Sequence, residues 1–564
     1  MHAWLCYTLV MNNEADIRKA LSGLTQEQII DMYVSLDSRY NTLQANYDQL
    51  RRKYYGVKNN ESQAKGQLSL FNEAEETVDD AKPEELNEPS GEEVTDKKKS
   101  GKKKSPKNTK LKNVRVDTHH IRPDDINCPR CGKGMKELKS TVIEYLEFHP
   151  AEYVLQQYII HNFTCHTCND ETLAFKSYTG DTSELPARLI ESSIATPSLI
   201  SNIAANKILL GLPFYRQAKD LSYRGISISR QVMCNWFLRV GEDYLVTIKE
   251  RMVQDLRKCE IVNMDETTLE CLEDLKDGSR SKNYTWLAMS GIHEANQMAL
   301  YFYNTTREHK FVYSILGDSY NGIVQTDGYR GYDDYAPASG HAGCAAHCQR
   351  KFTEAAKAYT ELYKIYTRSK KSEERKELRD KNPSFARILL ILDQFSAIYR
   401  IEHRLKDSQA TPEQILEARK KEALPLWEKI RDIVKEIKAS YVISNSLKTA
   451  IVYFENQYDH LIYYINEWRL EPDNNLAERE GIKPFVTSRK NFLFADTRRG
   501  AEITAIYFSL LISARMNQLN PEKYLAYLLE QLSTHGLRDD VIDRCLPYSK
   551  KIPEDIKITK NRSS

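Results

Sequence analysis

Four runs rich in β-branched and aromatic residues, between residues 259 and 329, constrain the fold of this chain most strongly. They read CEIVNMDET, NYTWLAMSGI, QMALYFYNT and NGIVQTDGY, and turn-forming residues bound them. The segment EHKFVYSILGD, between the third and fourth runs, has helical spacing. The predicted order is therefore strand, strand, strand, helix, strand. A crossover of the usual hand then places the fourth strand parallel to the first.

An aspartate ends the first and the fourth of these strands, at Asp265 and Asp327. Neighbouring parallel strands end at the same edge of a sheet, so the two carboxylates are predicted to face each other. Like charges that close repel, and a cation would keep both ionised. Two Mg²⁺ ions about 3.5–4 Å apart can hold the attacking and leaving oxygens of a phosphoryl transfer. A single aspartate in this position is more often a turn former, so the prediction depends on the pair.

Such a site needs a third carboxylate, which the segment EPDNNLAERE at 471–480 supplies. Its proline and asparagines can end one helix and cap the next, so Glu478 is predicted to lie in an early helical turn. The adjacent asparagines, including Asn475, would cap that turn or contact phosphate. Glu480 is the alternative to Glu478, and Glu266 is the alternative to its neighbour Asp265.

Two CxxC pairs separated by 33 residues predict a zinc ribbon. CPRC and CHTC can each turn two thiolates toward one tetrahedral Zn²⁺, which makes a closed, structural site. The alternating apolar and polar residues between the pairs predict a hairpin. One of the nearby histidines is an alternative ligand, and a redox role for the pairs is the alternative function. The predicted ligands are Cys128, Cys131, Cys165 and Cys168.

Residues 186–245 have the pattern of three short helices, with a glycine-containing turn before the last. This arrangement fits a helix-turn-helix, in which the third helix would enter a DNA groove and present Arg230 and Gln231. An ordinary helical bundle that links two domains has the same pattern and is the alternative.

The N-terminal region carries tyrosines at 33, 40, 47 and 54, and leucines at 36, 43 and 50. This heptad spacing predicts a coiled coil and therefore a homo-oligomer. The alternative is an amphipathic helix packed on its own chain. Residues 72–112 follow, acidic first and then basic, with too few apolar residues to form a core, and they are predicted to be disordered.

The formal net charge is only +2, so the charge balance says little about the partners of the chain. We find no signal peptide and no run near the roughly 18 apolar residues of a membrane span. The eleven cysteines then favour metal binding in a reducing cytoplasm over disulfides. Met11 opens an ordinary N-terminal sequence, so residues 1–10 are interpreted as an upstream extension.

Several motifs in combination make the chain resemble the transposases of the insertion sequence 66 family, of the TnpC type. These are MDET at 264–267, TDGYRGY at 326–332, CAAHCQRKF at 344–352, DNNLAERE at 473–480, SRKNFLFADTRRGAE at 488–502 and SLLISARMNQLNPEKYL at 509–525. The resemblance covers nearly the whole chain and favours Glu478 over Glu480. It implies a DDE-type catalytic core with an RNase H-like fold.

The resemblance also implies a reaction. Asp265, Asp327 and Glu478 would bind two Mg²⁺ (or Mn²⁺) ions, water would cleave the ends of the element, and the freed 3′ hydroxyl would attack target DNA. A Cys-x-x-His signature of related transposases matches Cys344 and His347, which would support catalysis or simply pack. Small accessory proteins of the same element are implied partners, in a bacterial cytoplasm where the DNA-bound protein would lie on the nucleoid.

Basic residues flank the third carboxylate and are predicted to hold DNA phosphates, although a solvated basic face is the alternative. They are Arg479, Lys483, Arg489, Lys490, Arg498 and Arg499.

The segment FVTSRKNFLFA, at 485–495, is predicted to be a short strand, and a long amphipathic helix is predicted to follow it.

Together these features predict a multidomain α+β protein. Its parts are an N-terminal helical, coiled-coil region (1–71), a charged linker (72–116), the zinc ribbon (117–180), the helix-turn-helix domain (181–255), an RNase H-like core in two parts (256–352 and 471–535) around a helical insertion (353–470), and a C-terminal tail (536–564). The predicted function is transposition of an insertion sequence. The alternatives are a catalytically silent, transposase-derived DNA-binding protein and a nuclease that cuts without joining.

Overall fold

A computed structural model of the chain describes most of its residues after position 114. The described residues are 115–122, 127, 132–137, 140–149, 152–164, 178–179, 185–276, 283–368, 372–439 and 444–558, with Thr25, Gln28, Tyr40, Leu43 and Tyr47 before them. The four predicted zinc ligands, and residues 72–114 of the predicted linker, lie outside these ranges.

The chain divides into two compact units. One comprises residues Met1–Ala81 and Ala342–Asp473, and we call its second segment the helical unit. The other comprises Lys82–His341 and Asn474–Ser564, and we call it the α/β unit. The α/β unit is thus built from two segments of sequence that the helical unit separates.

Two small sheets lie in the N-terminal part of the α/β unit. The first has the order β1-β4-β3, with β1 at Arg115–Ile121, β3 at Thr141–His149 and β4 at Glu152–Ile160. The second has the order β2-β5-β6, with β2 at Lys136–Glu137, β5 at Asn162–Thr164 and β6 at Tyr178–Thr179. Strands β3 and β4 pair antiparallel, which confirms the hairpin predicted between the two CxxC pairs.

The central sheet of the α/β unit has five strands in the order β10-β9-β7-β11-β12. Their bounds are β7 Ile261–Thr268, β9 Tyr284–Ser290, β10 Ala299–Asn304, β11 Ile323–Gln325 and β12 Gly340–Ala342. Strand β9 is antiparallel to β7 and to β10, whereas β11 is parallel to β7. The predicted order and the predicted parallel return of the fourth strand are both confirmed. A further short parallel pair joins β8 (Glu270–Cys271) to β13 (Phe494–Ala495).

The helices that precede and interrupt the sheet follow the predicted pattern. They are α1 Pro197–Ile208, α2 Phe214–Tyr223, α3 Arg230–Val240, α4 Val246–Leu256, α5 Leu272–Lys276, α6 Lys310–Leu316 and α7 Arg330–Asp333. Hydroxyl caps start two of them: the Thr196 side chain accepts the amide of Leu199, and the Ser229 side chain accepts the amide of Val232. A π-helical turn, Gly241–Leu245, connects α3 to α4.

The helical unit contains seven α-helices among its described residues, in agreement with the helical character predicted for this region. They are α8 Ala345–Ala358, α9 Thr360–Arg368, α10 Ser372–Lys381, α11 Pro383–Asp407, α12 Pro412–Ala418, α13 Leu424–Lys438 and α14 Asn445–Ile462. A buried guanidinium fixes their packing. Arg419 pairs with Glu402 at 2.7 Å and also donates to the main-chain carbonyls of Tyr464, Glu467 and Leu470.

The chain then returns to the α/β unit. A π-helical turn at Ala477–Ile482 leads into α15 Lys483–Phe492, α16 Arg498–Met516, α17 Pro521–His535 and α18 Asp539–Cys545. The strand predicted at FVTSRKNFLFA is therefore wrong, except for its last two residues. Phe485 and Ser488 are buried three residues apart, which is helical spacing.

Helix α16 protects the edge of the central sheet. The Ser513 hydroxyl accepts the amide of Ala299 at 2.9 Å, and the Ser509 hydroxyl accepts the amide of Tyr301 at 2.8 Å. These two amides belong to the edge strand β10, where they would otherwise lack a strand partner. Within the described part of the chain, no helix is both long and apolar enough to cross a membrane.

Candidate active site

The first predicted carboxylate lies on the central strand of the sheet. Asp265 belongs to β7, is only 8% exposed, and stands opposite Leu287 of β9. Its Oδ1 atom accepts the main-chain amide of Glu266 at 2.8 Å. This bond fixes the orientation of a carboxylate that water hardly reaches.

The second predicted carboxylate follows the neighbouring parallel strand. Asp327 comes two residues after β11, and its Oδ1 atom accepts the amide of Tyr329 at 2.9 Å. Gly328 between them has a positive φ of 83°, a backbone conformation that glycine adopts without strain. The side chain of Asp327 is 21% exposed, so this carboxylate is more accessible than that of Asp265.

The third predicted carboxylate, Glu478, lies in the π-helical turn that follows the helical unit, as predicted for an early helical turn. Three contacts hold this turn on the sheet. The Asn474 side chain donates to the carbonyl of Met264 at 2.9 Å, beside Asp265. The Tyr301 hydroxyl donates to the carbonyl of Gly481 at 2.7 Å. Gly481 itself packs so closely on Leu287 that an added Cβ would lie 2.2 Å from Leu287 Cδ2.

Electrostatics connect the three carboxylates. Burial raises the pKa of Asp265 well above its usual value, and the charges of Asp327, Glu266 and Glu478 raise it further. Charges that raise the pKa of a buried carboxyl in this way lie close to it in poorly solvated surroundings. Glu480 instead pairs with Arg479 at 2.9 Å and with Arg515 at 3.4 Å. Of the two glutamates in the segment, Glu478 is therefore the one aligned with Asp265.

Glu266 belongs to a second set of contacts that the sequence did not indicate. Its carboxylate forms an ion pair with Arg307 and accepts the Tyr332 hydroxyl. Arg307 also lies 3.7 Å from Asp327 Oδ2, and its guanidinium lies 3.7 Å from the centre of the Tyr329 ring. The carboxylate cluster thus contains one resident cation, which Glu266 and Tyr329 hold beside Asp327.

The predicted DNA-binding residues have two kinds of environment. Arg489 donates to the hydroxyls of Thr267 and Thr268, Arg498 pairs with the buried Asp274, and Arg499 pairs with Glu242 at 2.5 and 2.6 Å. The side chains of the other five are exposed, and Arg479 among them pairs with Glu480. They are Arg230, Gln231, Arg479, Lys483 and Lys490.

Three predicted site residues remain. Asn475 is exposed, two residues before the π-helical turn of the α/β unit. Cys344 is fully buried at the residue before α8, and His347 is half-buried in the first turn of that helix, so both belong to the helical unit.

This geometry defines a mixed α/β protein with a cluster of carboxylates at its central sheet. Comparison with known families adds the identity: the chain belongs to the transposase IS66 family, whose family model matches residues 192–503. The IS66 C-terminal element matches residues 509–548. The zinc-finger binding domain of transposase IS66 matches residues 125–169, which include the four predicted cysteine ligands and indicate a structural zinc ion.

Three relatives from Sinorhizobium fredii (strain NBRC 101917 / NGR234) resemble the chain over most of its length. The uncharacterized protein y4jD is 24% identical over 445 residues, which cover 76% of this chain and 79% of that protein. The uncharacterized protein y4qI is 28% identical over 393 residues, 65% of each chain. The uncharacterized protein y4hP is 23% identical over 436 residues, covering 73% of this chain and 74% of the relative.

Proposed function

We propose that this transposase cleaves and joins DNA at a metal-dependent site formed by Asp265, Asp327 and Glu478, after binding the terminal repeats of its insertion sequence. The observation that carries the proposal is the convergence of three distant segments. These segments are a central strand, the turn after its parallel neighbour and a π-helical turn, and each carries one carboxylate. The charges of Asp327 and Glu478 raise the pKa of Asp265.

The topology of the sheet supports an RNase H-like core. Three antiparallel strands come first in sequence, the fourth returns parallel to the first, and a fifth continues the sheet on the same side. Asp265 lies within β7, and Asp327 follows the adjacent parallel strand β11; Gln325 pairs with Asn263, so each aspartate is two residues beyond that pair. In open α/β sheets, sites form at the ends of adjacent strands.

The donor set fits a hard divalent cation. All three groups are carboxylates, their repulsion raises the pKa of the buried member, and Mg²⁺ or Mn²⁺ prefers oxygen ligands. Such ions, when bound, would supply positive charge to the phosphodiester oxygens and lower the pKa of an attacking water. Asp265, Asp327 and Glu478 are the residues that would hold them.

The protein's own residues position this chemistry. Asn474 joins the segment of Glu478 to the strand of Asp265, and the amide of Tyr329 orients Asp327. Arg307 presents a third of its side chain to solvent beside Asp327, where its guanidinium can contact a phosphate oxygen. The attacking group is water in the cleavage step and a DNA 3′ hydroxyl in the joining step.

We further propose that DNA contacts the exposed polar residues outside ion pairs more strongly than the paired arginines. Arg230, Gln231, Lys483 and Lys490 can reach phosphates or base edges without breaking a contact within the protein. Arg498 and Arg499 are already paired with Asp274 and Glu242, so their net charge toward DNA is smaller. Cys344, His347 and Asn475 remain proposed supporting residues.

The test uses purified protein, Mg²⁺ or Mn²⁺, and labelled DNA that carries the element's own end. We expect nicking at the 3′ end and strand transfer by the wild type, and neither by Asp327→Ala or Glu478→Gln. Glu480→Gln is the matched control and should retain both activities. Nicking without transfer would identify a nuclease. Binding without nicking, even with accessory proteins present, would identify a silent DNA-binding protein.

A further inference from the structure

A cavity of about 160 Å³ lies in the α/β unit, outside the carboxylate cluster. Helices α1 and α3 line it on one side, and the end of α15, strand β13 and the start of α16 line it on the other. Four aromatic rings contribute to its walls, and they belong to Phe214, Phe237, Phe492 and Phe494; the other lining residues are aliphatic or polar. An apolar cavity of about 150 Å³ in another protein holds one benzene ring, so this one has room for a single planar ring.

One cation lies among these aromatic rings. The Lys207 ammonium is 4.7 Å from the centre of the Phe214 ring, 4.8 Å from that of Phe492 and 6.0 Å from that of Phe237. Within the described part of the chain, no oxygen accepts a hydrogen bond from it, although the charges of Cys234 and Asp496 act on it. Burial lowers the pKa of Lys207 to about 8. The ammonium therefore retains its capacity to donate hydrogen bonds to a ligand.

The rim of the cavity carries charges of both signs. Arg498 and Arg499 lie between the lining residues Thr497 and Gly500 but pair with Asp274 and Glu242, and Asp496 is an exposed carboxylate among the lining residues. Lys490, exposed two residues before Phe492, and the lining residue Lys207 outnumber that carboxylate. This excess of positive charge favours a ring that belongs to a polyanion. Hydrogen-bond donation from Lys207 then favours a ring with carbonyl acceptors.

We propose that this cavity binds one unstacked pyrimidine base of the DNA that the transposase holds, with the base stacked on phenylalanine and its carbonyl oxygen accepting from Lys207. Stacking on aromatic side chains is the usual way in which proteins hold unpaired bases. The inference rests on the proposed function, since it requires DNA on the α/β unit.

The position of the cavity predicts which base it takes. Leu269 lines the cavity and is four residues beyond Asp265 along one extended segment. Four residues span about 13 Å in a strand. At about 3.4 Å per nucleotide, the bound base lies about four nucleotides from the phosphate at the carboxylates.

Photochemical crosslinking tests the proposal without requiring cleavage. Full-length protein that keeps its structural zinc, without added Mg²⁺ or Mn²⁺, is bound to DNA that carries the element's end. One base at a time, within about six nucleotides of the cleavage point, is replaced by 5-iodouracil. After irradiation, the crosslinked peptides are mapped by mass spectrometry. We expect one position, about four nucleotides from the cleavage point, to crosslink to Phe214, Phe492 or Phe494.

Three variants make the test specific. Lys207→Met and Phe492→Leu should each reduce this crosslink by about fivefold or more, with the melting temperature of each variant measured to confirm folding. Lys219→Met, an exposed lysine on α2, should leave it unchanged. A formed complex without this crosslink, or a crosslink that survives in folded Lys207→Met and Phe492→Leu, would overturn the inference.

The outcomes separate this inference from the proposed function. A chain that crosslinks through the cavity but never nicks DNA in Mg²⁺ would retain the base-binding site and lose the proposed activity. A chain that nicks and joins DNA but shows no crosslink in the cavity would have the proposed activity and lack the base-binding site.

Discussion

At the residue scale, Asp265 shows that the carboxylate cluster lowers the stability of the fold. Burial, together with Asp327, Glu266 and Glu478, raises the pKa of its carboxyl in the folded state. A folded-state pKa above the unfolded value means that the folded chain binds more protons. Ionisation of Asp265 therefore destabilises the fold as the pH rises through that pKa, and this effect disappears at low pH.

Asp265→Asn should consequently stabilise the metal-free protein near neutral pH, because it keeps the shape and removes one repelling charge. We expect a melting temperature higher by about 2–4 °C for each kcal/mol of repulsion removed. Mg²⁺ should raise the melting temperature of the wild type more than that of the variant. Asp318→Asn, at an exposed position, is the control and should change neither value. A lower melting temperature for metal-free Asp265→Asn would contradict the account.

Arg307 and Glu266 form a pair whose members depend on each other. The Glu266 side chain is only 2% exposed and that of Arg307 is 34% exposed. Arg307→Gln leaves a buried carboxylate without its cation and should lower the free energy of unfolding by about 1–3 kcal/mol. That is less than the 3–5 kcal/mol of a fully buried pair, because solvent screens the guanidinium.

Adding Glu266→Gln to Arg307→Gln should recover most of this loss, since no unpaired charge then remains. Urea unfolding of the two single variants, the double variant and the wild type gives the coupling free energy. If the double variant were as unstable as the sum of the single ones, the pair would not be coupled.

Lys249 gives a prediction about pH that is independent of the carboxylates. Its ammonium donates to the carbonyl of Tyr301 at 2.5 Å and lies 4.1 Å from the centre of the Phe302 ring. Burial lowers its pKa from 10.5 to about 7, although the charge of Glu502 opposes the shift. Between these two values the unfolded chain carries a proton that the folded chain lacks, so stability rises with pH there.

Lys249→Met should remove this dependence. From about pH 7 to about pH 9 the wild type should gain up to about 1.4 kcal/mol per pH unit relative to the variant. Free energies of unfolding from urea titrations at both pH values measure the difference. A constant difference between the two proteins would show that Lys249 keeps its proton in the fold.

At the element scale, sequence patterns revealed regular features and missed contacts between distant segments. The order of the strands could be predicted, because turn residues mark where strands begin and end. The prediction that Asp265 ends its strand is wrong, since β7 continues to Thr268. The cluster of Glu266, Arg307 and Tyr332 could not be predicted, because its contacts span 41 and 66 residues and follow no local period.

Helix α15 shows a different kind of error. The apolar residues of FVTSRKNFLFA suggested a strand, whereas in the fold Phe485 and Ser488 face the core at helical spacing. The preceding π-helical turn and the proline at the start of α15 set the helical direction. Only tertiary packing of that turn on β7 and β9 decides the structure of the segment.

The π-helical turn itself depends on one close contact. Gly481→Ala would place a Cβ 2.2 Å from Leu287 Cδ2, so the turn that carries Glu478 must shift. We expect a loss of about 1–3 kcal/mol in stability, as for other overpacked positions, together with a larger loss of DNA nicking. The nicking assay and urea unfolding measure the two effects.

Gly481→Ala combined with Leu287→Ala tests the cause, because the smaller side chain makes room for the added methyl group. The double variant should regain nicking relative to Gly481→Ala. If nicking stayed low although the stability recovered, the position of the turn would not be what limits the reaction.

At the scale of the whole molecule, the proposed catalytic residues lie in one compact unit although the chain leaves and re-enters it. Asp265 and Asp327 precede the helical unit and Glu478 follows it. Asn474 contacts Met264 across 210 residues of sequence, so the site is complete only after both segments have joined. Substitutions at this junction should therefore affect folding and activity together.

Transposition also requires two DNA ends to be held at once, which one catalytic unit per chain cannot do alone. Three described residues of the N-terminal region offer a surface for a second copy. Tyr40, Leu43 and Tyr47 are helical and are 65%, 70% and 61% exposed, at the spacing of one coiled-coil seam. We propose that this row pairs with the same row of another chain, since large apolar side chains in a continuous exposed row favour association.

The combined variant Leu43→Glu and Tyr47→Glu should place charges in that seam and reduce the molecular mass in solution to the 65.3 kDa of one chain. Light scattering after size-exclusion chromatography measures the mass directly. Gln28→Glu, at an exposed helical residue outside the predicted seam, is the control and should keep the mass of the wild type. The monomeric variant should still nick a single end but lose strand transfer that requires paired ends. A wild type that is already monomeric would contradict the proposed seam, and the pairing of ends would then have to come from DNA binding or from the accessory proteins.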